Sequence, residues 1–152
     1  MSRAFTKEID DAPEPPPLER PISAAPNLVT PSGAEQITGT LASLEAQLVV
    51  NPDPSLKRDQ RYWAARHATM QVLTPDPHPT SVGFGTFVTI KRAGKRMELQ
   101  IVGEDEADPS QNRIAWTAPL AKALDGAEPG ETVELEAGGR VQPIEIIALR
   151  GR

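Results

Sequence analysis

The placement of the prolines constrains this chain more than any other feature. Sixteen occur in 152 residues, seven of them within the first 31. Proline fixes its φ and carries no amide hydrogen, so it opens helices, ends them or sits in turns. On that basis Pro31, Pro54 and Pro119 each start a helix, while Pro75, Pro77 and Pro79 bar a helix between residues 74 and 80. Four segments follow: 1–29, a disordered acidic and proline-rich tail; 30–73, a helical hairpin; 74–80, a stiff linker; and 81–152, a small domain. In the tail, Asp10 to Glu19 should be extended and solvated, with polyproline II character. Phe5 and Ile9 are the apolar anchors it could offer a partner.

Within 30–73, Thr30 is placed to cap the first helix and Pro31 to occupy its first position. Ser32 and Glu35 form a competing capping box. Ile37, Leu41, Leu44 and Leu48 recur at spacings of four, three and four, which puts one apolar seam on a helix ending near Val50. Asn51-Pro52-Asp53-Pro54 turns the chain, and Asp53 caps a second helix. Its seam is Leu56, Trp63 and Met70, with Leu73 in the last turn and the polar Asp59 and Arg66 interrupting it. Each arm should be about 25–30 Å long.

From Val82 the apolar period becomes two. Phe87 to Ile90 and Met97 to Val102 flank a hairpin turn at Ala93-Gly94-Lys95. Arg113 to Trp116 is a third strand, Pro119 to Leu124 a short helix stopped by Gly126, and Glu131 to Glu136 and Val141 to Leu149 a second hairpin across Gly138-Gly139. Pro143 fits an edge or a bulge. The fold class is α+β: a helical hairpin, then an antiparallel sheet bent around one short helix.

Composition excludes several kinds of chemistry. There is no cysteine, hence no disulfide or thiolate zinc site. No apolar run approaches the roughly 20 residues of a membrane span, and Met1 to Phe5 do not open a signal peptide. A net charge of −5 argues against sequence-blind binding to bare nucleic acid. His67 and His78 form no triad and no metal-binding pair. Glu104, Asp105, Glu106 and Asp108 do not have the spacing of a calcium loop and read as a solvated turn closed by Asp108-Pro109. Gly83-Phe84-Gly85 lacks the rest of a phosphate loop. No catalytic residue, cofactor or metal ligand is assigned. The basic part of the chain is the second helix, with Lys57, Arg58 and Arg61 followed by Arg66 and His67. Lys57 and Arg61 share a face that is either simply solvated or touches an acidic channel or RNA phosphates.

Ile101-Val102-Gly103-Glu104-Asp105-Glu106-Ala107-Asp108, followed by Ala118-Pro119-Leu120-Ala121-Lys122-Ala123-Leu124-Asp125-Gly126, resembles the C-terminal signature of the GreA/GreB transcript-cleavage factors of bacterial RNA polymerase. The resemblance covers about residues 80–150 and implies an FK506-binding-protein-like (FKBP-like) domain. It also implies that the loop entering the short helix, Thr117, Ala118 and Pro119, docks on the rim helices of the polymerase secondary channel. Ala118 stands where the family usually has serine. In the family a coiled-coil tip carries Gly-Asp-(x)-Ser-Glu-Asn-Ala, whose two carboxylates help hold the second magnesium of the polymerase. Two-metal hydrolysis needs that cation. Here the tip has only Asp53 and the arms are shorter, closer to the nucleoside diphosphate kinase regulator (Rnk-like) branch.

The resulting expectation is a non-enzymatic, cytoplasmic, monomeric elongation regulator. It binds bacterial DNA-directed RNA polymerase and meets nucleic acid only through that enzyme. One alternative is an active cleavage-stimulating factor that uses Asp53 and Asp59. The other is a prolyl isomerase, for which the domain offers Phe84, Phe87 and Trp116.

Overall fold

The computed structural model describes Pro13, Pro15 and residues 17–152. Phe5, Ile9 and most of the acidic run of the tail lie outside the described residues. The chain runs β1 (Leu28–Val29), α1 (Pro31–Val50), α2 (Pro54–Thr69), β2 (Gln71–Val72), β3 (Phe87–Arg92), β4 (Lys95–Val102), β5 (Arg113–Ala115), α3 (Pro119–Leu124), β6 (Thr132–Ala137) and β7 (Arg140–Arg150).

Local chemistry sets the hairpin. Thr30 is the N-cap of α1, its hydroxyl accepting from the Gly33 amide at 3.0 Å, so the competing box at Ser32 and Glu35 is not the one used. Asp53 caps α2 by accepting from the amides of Ser55 (2.7 Å) and Leu56 (3.3 Å). Ile37 and Leu44 are buried in the seam, with Leu41, Leu48 and Trp63 half-buried beside them. The second helix ends earlier than its apolar spacing suggests. Met70 is extended, and Gln71–Val72 pair in parallel with Leu28–Val29. The Gln71 amide donates to the Asn27 carbonyl (2.8 Å) and the Leu73 amide to that of Val29 (2.9 Å). Backbone pairing here wins over the helical period of Met70 and Leu73. It also places Leu28–Val29, expected in a disordered tail, in a defined strand with Val29 buried.

The main sheet has the order β5-β4-β3-β7-β6. Four strands are antiparallel neighbours, but β5 runs parallel to β4, with Gln100 opposite Arg113 and Val102 opposite Ala115. The sheet is therefore mixed, not wholly antiparallel. The acidic turn and a 3₁₀ turn at Pro109–Gln111 supply the crossover that a parallel pair needs. Ala93 (φ 50°) and Gly94 (φ 77°) form the tight turn between β3 and β4, where positive φ at both central residues matches strand twist. Pro143 faces Glu134 of β6 and lies one residue beyond the end of the β3 pairing, so its missing amide hydrogen leaves no gap on that side. Val88, Ile90, Leu99, Ile101, Ile144 and Ile146 line the core face, and α3 closes it with Ala121 and Leu124.

The proline linker lies against the domain. A Cβ on Gly85, whose φ is +81°, would sit 2.5 Å from Pro75 Cγ. One on Gly151 would sit 2.1 Å from the Asp76 carbonyl oxygen. Glycine is needed at both positions for the linker to approach so closely.

Candidate functional site

The acidic turn after β4 is where hairpin and domain meet. Sequence spacing suggests four solvated acids; the structure buries the side chains of two of them, Asp105 and Glu106. Glu106 accepts from the Thr30 amide (3.0 Å), the Thr30 hydroxyl and the Gly103 amide (2.9 Å). One carboxylate thus serves the start of α1 and the end of β4 together. Asp105 accepts from Arg66 Nε at 2.6 Å and from the Tyr62 hydroxyl. The Arg66 side chain is only 3% exposed and that of Asp105 only 7%. Arg66 also donates to Asn27 Oδ1 at 2.8 Å, while Asn27 Nδ2 donates back to the Arg66 carbonyl at 2.8 Å. A buried charge without partners is expensive, and these bonds are what make Arg66 tolerable inside the fold.

Burial, and then the hydrogen bond to Asp105, push the Tyr62 hydroxyl up to about 12. Its folded value lies above the unfolded one, so the neutral phenol's contribution is complete below pH ~10 and is lost as pH rises through the folded value. Tyr62 is the sole tyrosine. Tyrosinate absorbance therefore titrates this one group, and its midpoint should fall near 12 in the folded protein and near the ordinary ~10 in urea. A folded midpoint at the ordinary value would contradict the Asp105 bond.

Glu104 carries the network to the loop before α3. Its Oε1 accepts from Thr117 Oγ1 at 2.9 Å and from Ser23 Oγ at 3.1 Å, and its buried Oε2 lies 3.9 Å from the Arg66 guanidinium. Thr117 and Ala118 are half-buried and Pro119 is exposed. Ala118 is the N-cap of α3 and offers no side-chain bond, as an alanine must. The loop is thus tied through Glu104 to the same arginine that anchors α2.

The other residues singled out from sequence are spread along the hairpin. Asp53 is at the tip with its carboxylate engaged in capping. Asp59 pairs with Arg58 at 3.0 Å and Arg20 at 3.6 Å and does not converge with Asp53. Lys57 and Arg61 face the segment Pro17–Arg20, and Arg61 pairs with Glu19. That bond holds Glu19 below the usual carboxylate range. Among the described residues, no group of three or more His, Asp or Glu side chains is arranged to hold a metal ion, and no helix is long and apolar enough to cross a membrane. A cavity of about 310 Å³ opens beside α3, lined by Phe84, Ile101, Trp116, Ala121 and Lys122 among others. Phe87 does not line it and instead lies under the Arg150 guanidinium, 4.0 Å from its ring centre. The three aromatic residues therefore do not form one cluster.

Arg66, Asn27 and Tyr62 were not visible as site residues in the sequence. The signal that existed was an arginine on the apolar side of a helix.

Residues 76–150 match the family described as "Transcription elongation factor, GreA/GreB, C-term". Among curated proteins, the chain is 45% identical over 69 residues to transcription elongation factor GreA of Neisseria meningitidis serogroup A, 44% of each protein. It is 30% identical over 151 residues to transcription elongation factor GreA of Legionella pneumophila strain Lens, covering 80% of this chain and 94% of the other. A solved prokaryotic transcription elongation factor GreA/GreB from Nitrosomonas europaea superposes with a TM-score of 0.42 at 24% identity, over 81% of this chain and 98% of that one. The chain thus spans under half the length of some curated relatives and nearly all of others. These matches correct the expectation of a non-enzymatic factor. That expectation rested on a tip of a few residues, whereas relatives aligned over 151 residues are named transcription elongation factor GreA. The match over residues 76–150, and the 30% identity to a relative of which 94% is covered, identify the chain as a member of the GreA/GreB transcription elongation factor family.

Proposed function

We propose that the chain is a cytoplasmic elongation factor that binds bacterial RNA polymerase at the secondary channel. In this reading Thr117, Ala118 and Pro119 meet the channel rim and the hairpin enters the channel. It acts as a monomer and reaches nucleic acid only through the polymerase. The observation that carries it is the chain of contacts from Arg66, itself paired with Asp105, through Glu104 to Thr117, which links the candidate docking loop to the hairpin. A factor that docks with one part and acts with another needs that rigidity, because a small misplacement at the base is magnified along an arm of 20 residues, about 30 Å.

The tip supports weaker transcript cleavage than a two-carboxylate tip would give. Asp53 is its one acid, and it is held by the amides of Ser55 and Leu56. A lone, engaged carboxylate is a poor ligand for a second catalytic cation. Cleavage of RNA in a backtracked complex tests this. The wild-type chain should shorten RNA only slowly, and Asp53→Ser, which keeps a capping oxygen, should leave that rate within about threefold, or ~0.7 kcal/mol. Rapid cleavage abolished by Asp53→Ser would overturn the weak-tip reading. Docking is tested separately with Pro119→Glu. It should weaken binding to core polymerase by about tenfold or more, the ~1.4 kcal/mol of one good interface contact, with unchanged circular dichroism. Equal affinity would rule out the loop.

A further inference from the structure

The free end of the hairpin is apolar and open. Val49 and Val50 close α1 and are 87% and 86% exposed. Beside them lies a groove lined by Ser43, Ala46, Gln47, Val50 and Asn51 from the end of α1 and by Leu56 of α2. From Ala46 to Leu56 the one charged residue is Asp53, and its carboxylate is occupied in capping α2. Folding does not ask for this arrangement. The end of a helix carries partial negative charge and favours a cation, yet the last turn of α1 has none. An exposed helical position also favours a straight-chain residue over β-branched valine. Both local preferences are given up at the same place, and the two valines gain little burial in return. Such a departure marks a surface kept for contact.

Area decides the kind of occupant. Two valines and the groove offer on the order of 300 Å², against the roughly 800 Å² that each partner contributes to a stable complex. The end of the hairpin therefore cannot hold a second copy of the chain, or any other partner, by itself. It can add affinity where another part of the molecule is already held, because a tethered contact forms at an effective concentration on the order of millimolar. We infer that Val49 and Val50 are an apolar anchor that seats on an uncharged protein surface of the same partner that receives the candidate docking loop. That surface must be apolar, since a charged one would lose its water against valine and gain no counter-charge. The inference rests on the polymerase-binding reading above and adds a chemistry for the tip. Contact is made by burying apolar surface, while Asp53 stays engaged with its own helix.

Binding of the full chain to core RNA polymerase tests this. Val49→Gln with Val50→Gln removes the apolar surface and puts better helix formers in its place, so circular dichroism should be unchanged. This double variant should bind about tenfold more weakly than wild type, or worse. Val49→Leu with Val50→Leu keeps the surface apolar and should bind within about threefold of wild type. The gap between wild type and the glutamine variant should persist from about 0.05 to about 0.5 M salt, because salt does not screen apolar burial. Equal binding by wild type and the glutamine variant would overturn the anchor and leave the polymerase reading standing. An equal loss in the leucine variant, or a gap that closes with salt, would do the same. A dimer in sedimentation that the glutamine changes abolish would overturn it in favour of a second copy as occupant. Wild type that does not bind polymerase at all would remove the anchor and the polymerase reading together.

Discussion

Arg66→Met is expected to lower the unfolding free energy by about 3–5 kcal/mol, a large part of what a domain of this size possesses. The reason is asymmetry. Arg66 and Asp105 compensate each other out of water, and removing the arginine leaves Asp105 buried with only the Tyr62 hydroxyl to meet its charge. Asn27 also loses the donor to its Oδ1. Urea denaturation followed by tryptophan emission and by far-ultraviolet circular dichroism measures the loss. Asp105→Leu alone should cost a similar amount. The double variant Arg66→Met with Asp105→Leu should be much less unstable than the sum, with a coupling energy of about 2 kcal/mol or more, since no uncompensated charge is then buried. A single-variant loss below about 1 kcal/mol would show that the pair is not the anchor its burial implies.

Glu106→Ala has the second largest expected effect, about 4 kcal/mol. It leaves the amides of Thr30 and Gly103 buried and unpaired at roughly 1–3 kcal/mol each, and removes the partner of the Thr30 hydroxyl. Glu106→Gln keeps an acceptor oxygen and should lose less than half as much in the same urea titration. Equal losses would mean that the charge matters and the acceptor geometry does not. The surroundings leave little room for compensation. A Cβ added at Gly33 would meet the Glu106 carboxyl carbon at 2.2 Å, and one at Gly103 would meet the Leu28 carbonyl oxygen at 2.3 Å. The first obstacle is the end of a side chain and the second is backbone, so Gly103→Ala should be the worse tolerated of the two.

Features set by near neighbours in the chain were readable from sequence. Thr30 with Pro31, Asp53 with Pro54, and Ala93 with Gly94 announce their caps and turn because the atoms concerned lie within three residues of one another. The α+β class followed from where the apolar period changes. What was misread depends on partners far away. Arg66 reads as a flaw in an apolar seam until Asp105, thirty-nine residues on, is brought beside it. Glu106 reads as a solvated acid until Thr30, seventy-six residues back, needs its oxygens. Met70 and Leu73 keep helical spacing, yet two residues of parallel pairing with β1 decide their conformation. The parallel β4–β5 pair was invisible for the same reason. Of the candidate site, the proposed docking loop came from a motif and the basic face from charge. The network that connects them came from neither, since no short pattern encodes it.

The pairing of Leu28–Val29 with Gln71–Val72 brings the two ends of the hairpin side by side. An arm that leaves and returns at one point is a cassette. Its length can change without moving the base on which it stands. Inserting one heptad into each helix would extend reach by about 10.5 Å, and the Arg66 anchor, one turn from the base, would stay in place. Under the proposed reading, a molecule built this way can vary how far its arm reaches by insertion and deletion in the hairpin alone, leaving the candidate docking loop of the domain beneath it unchanged.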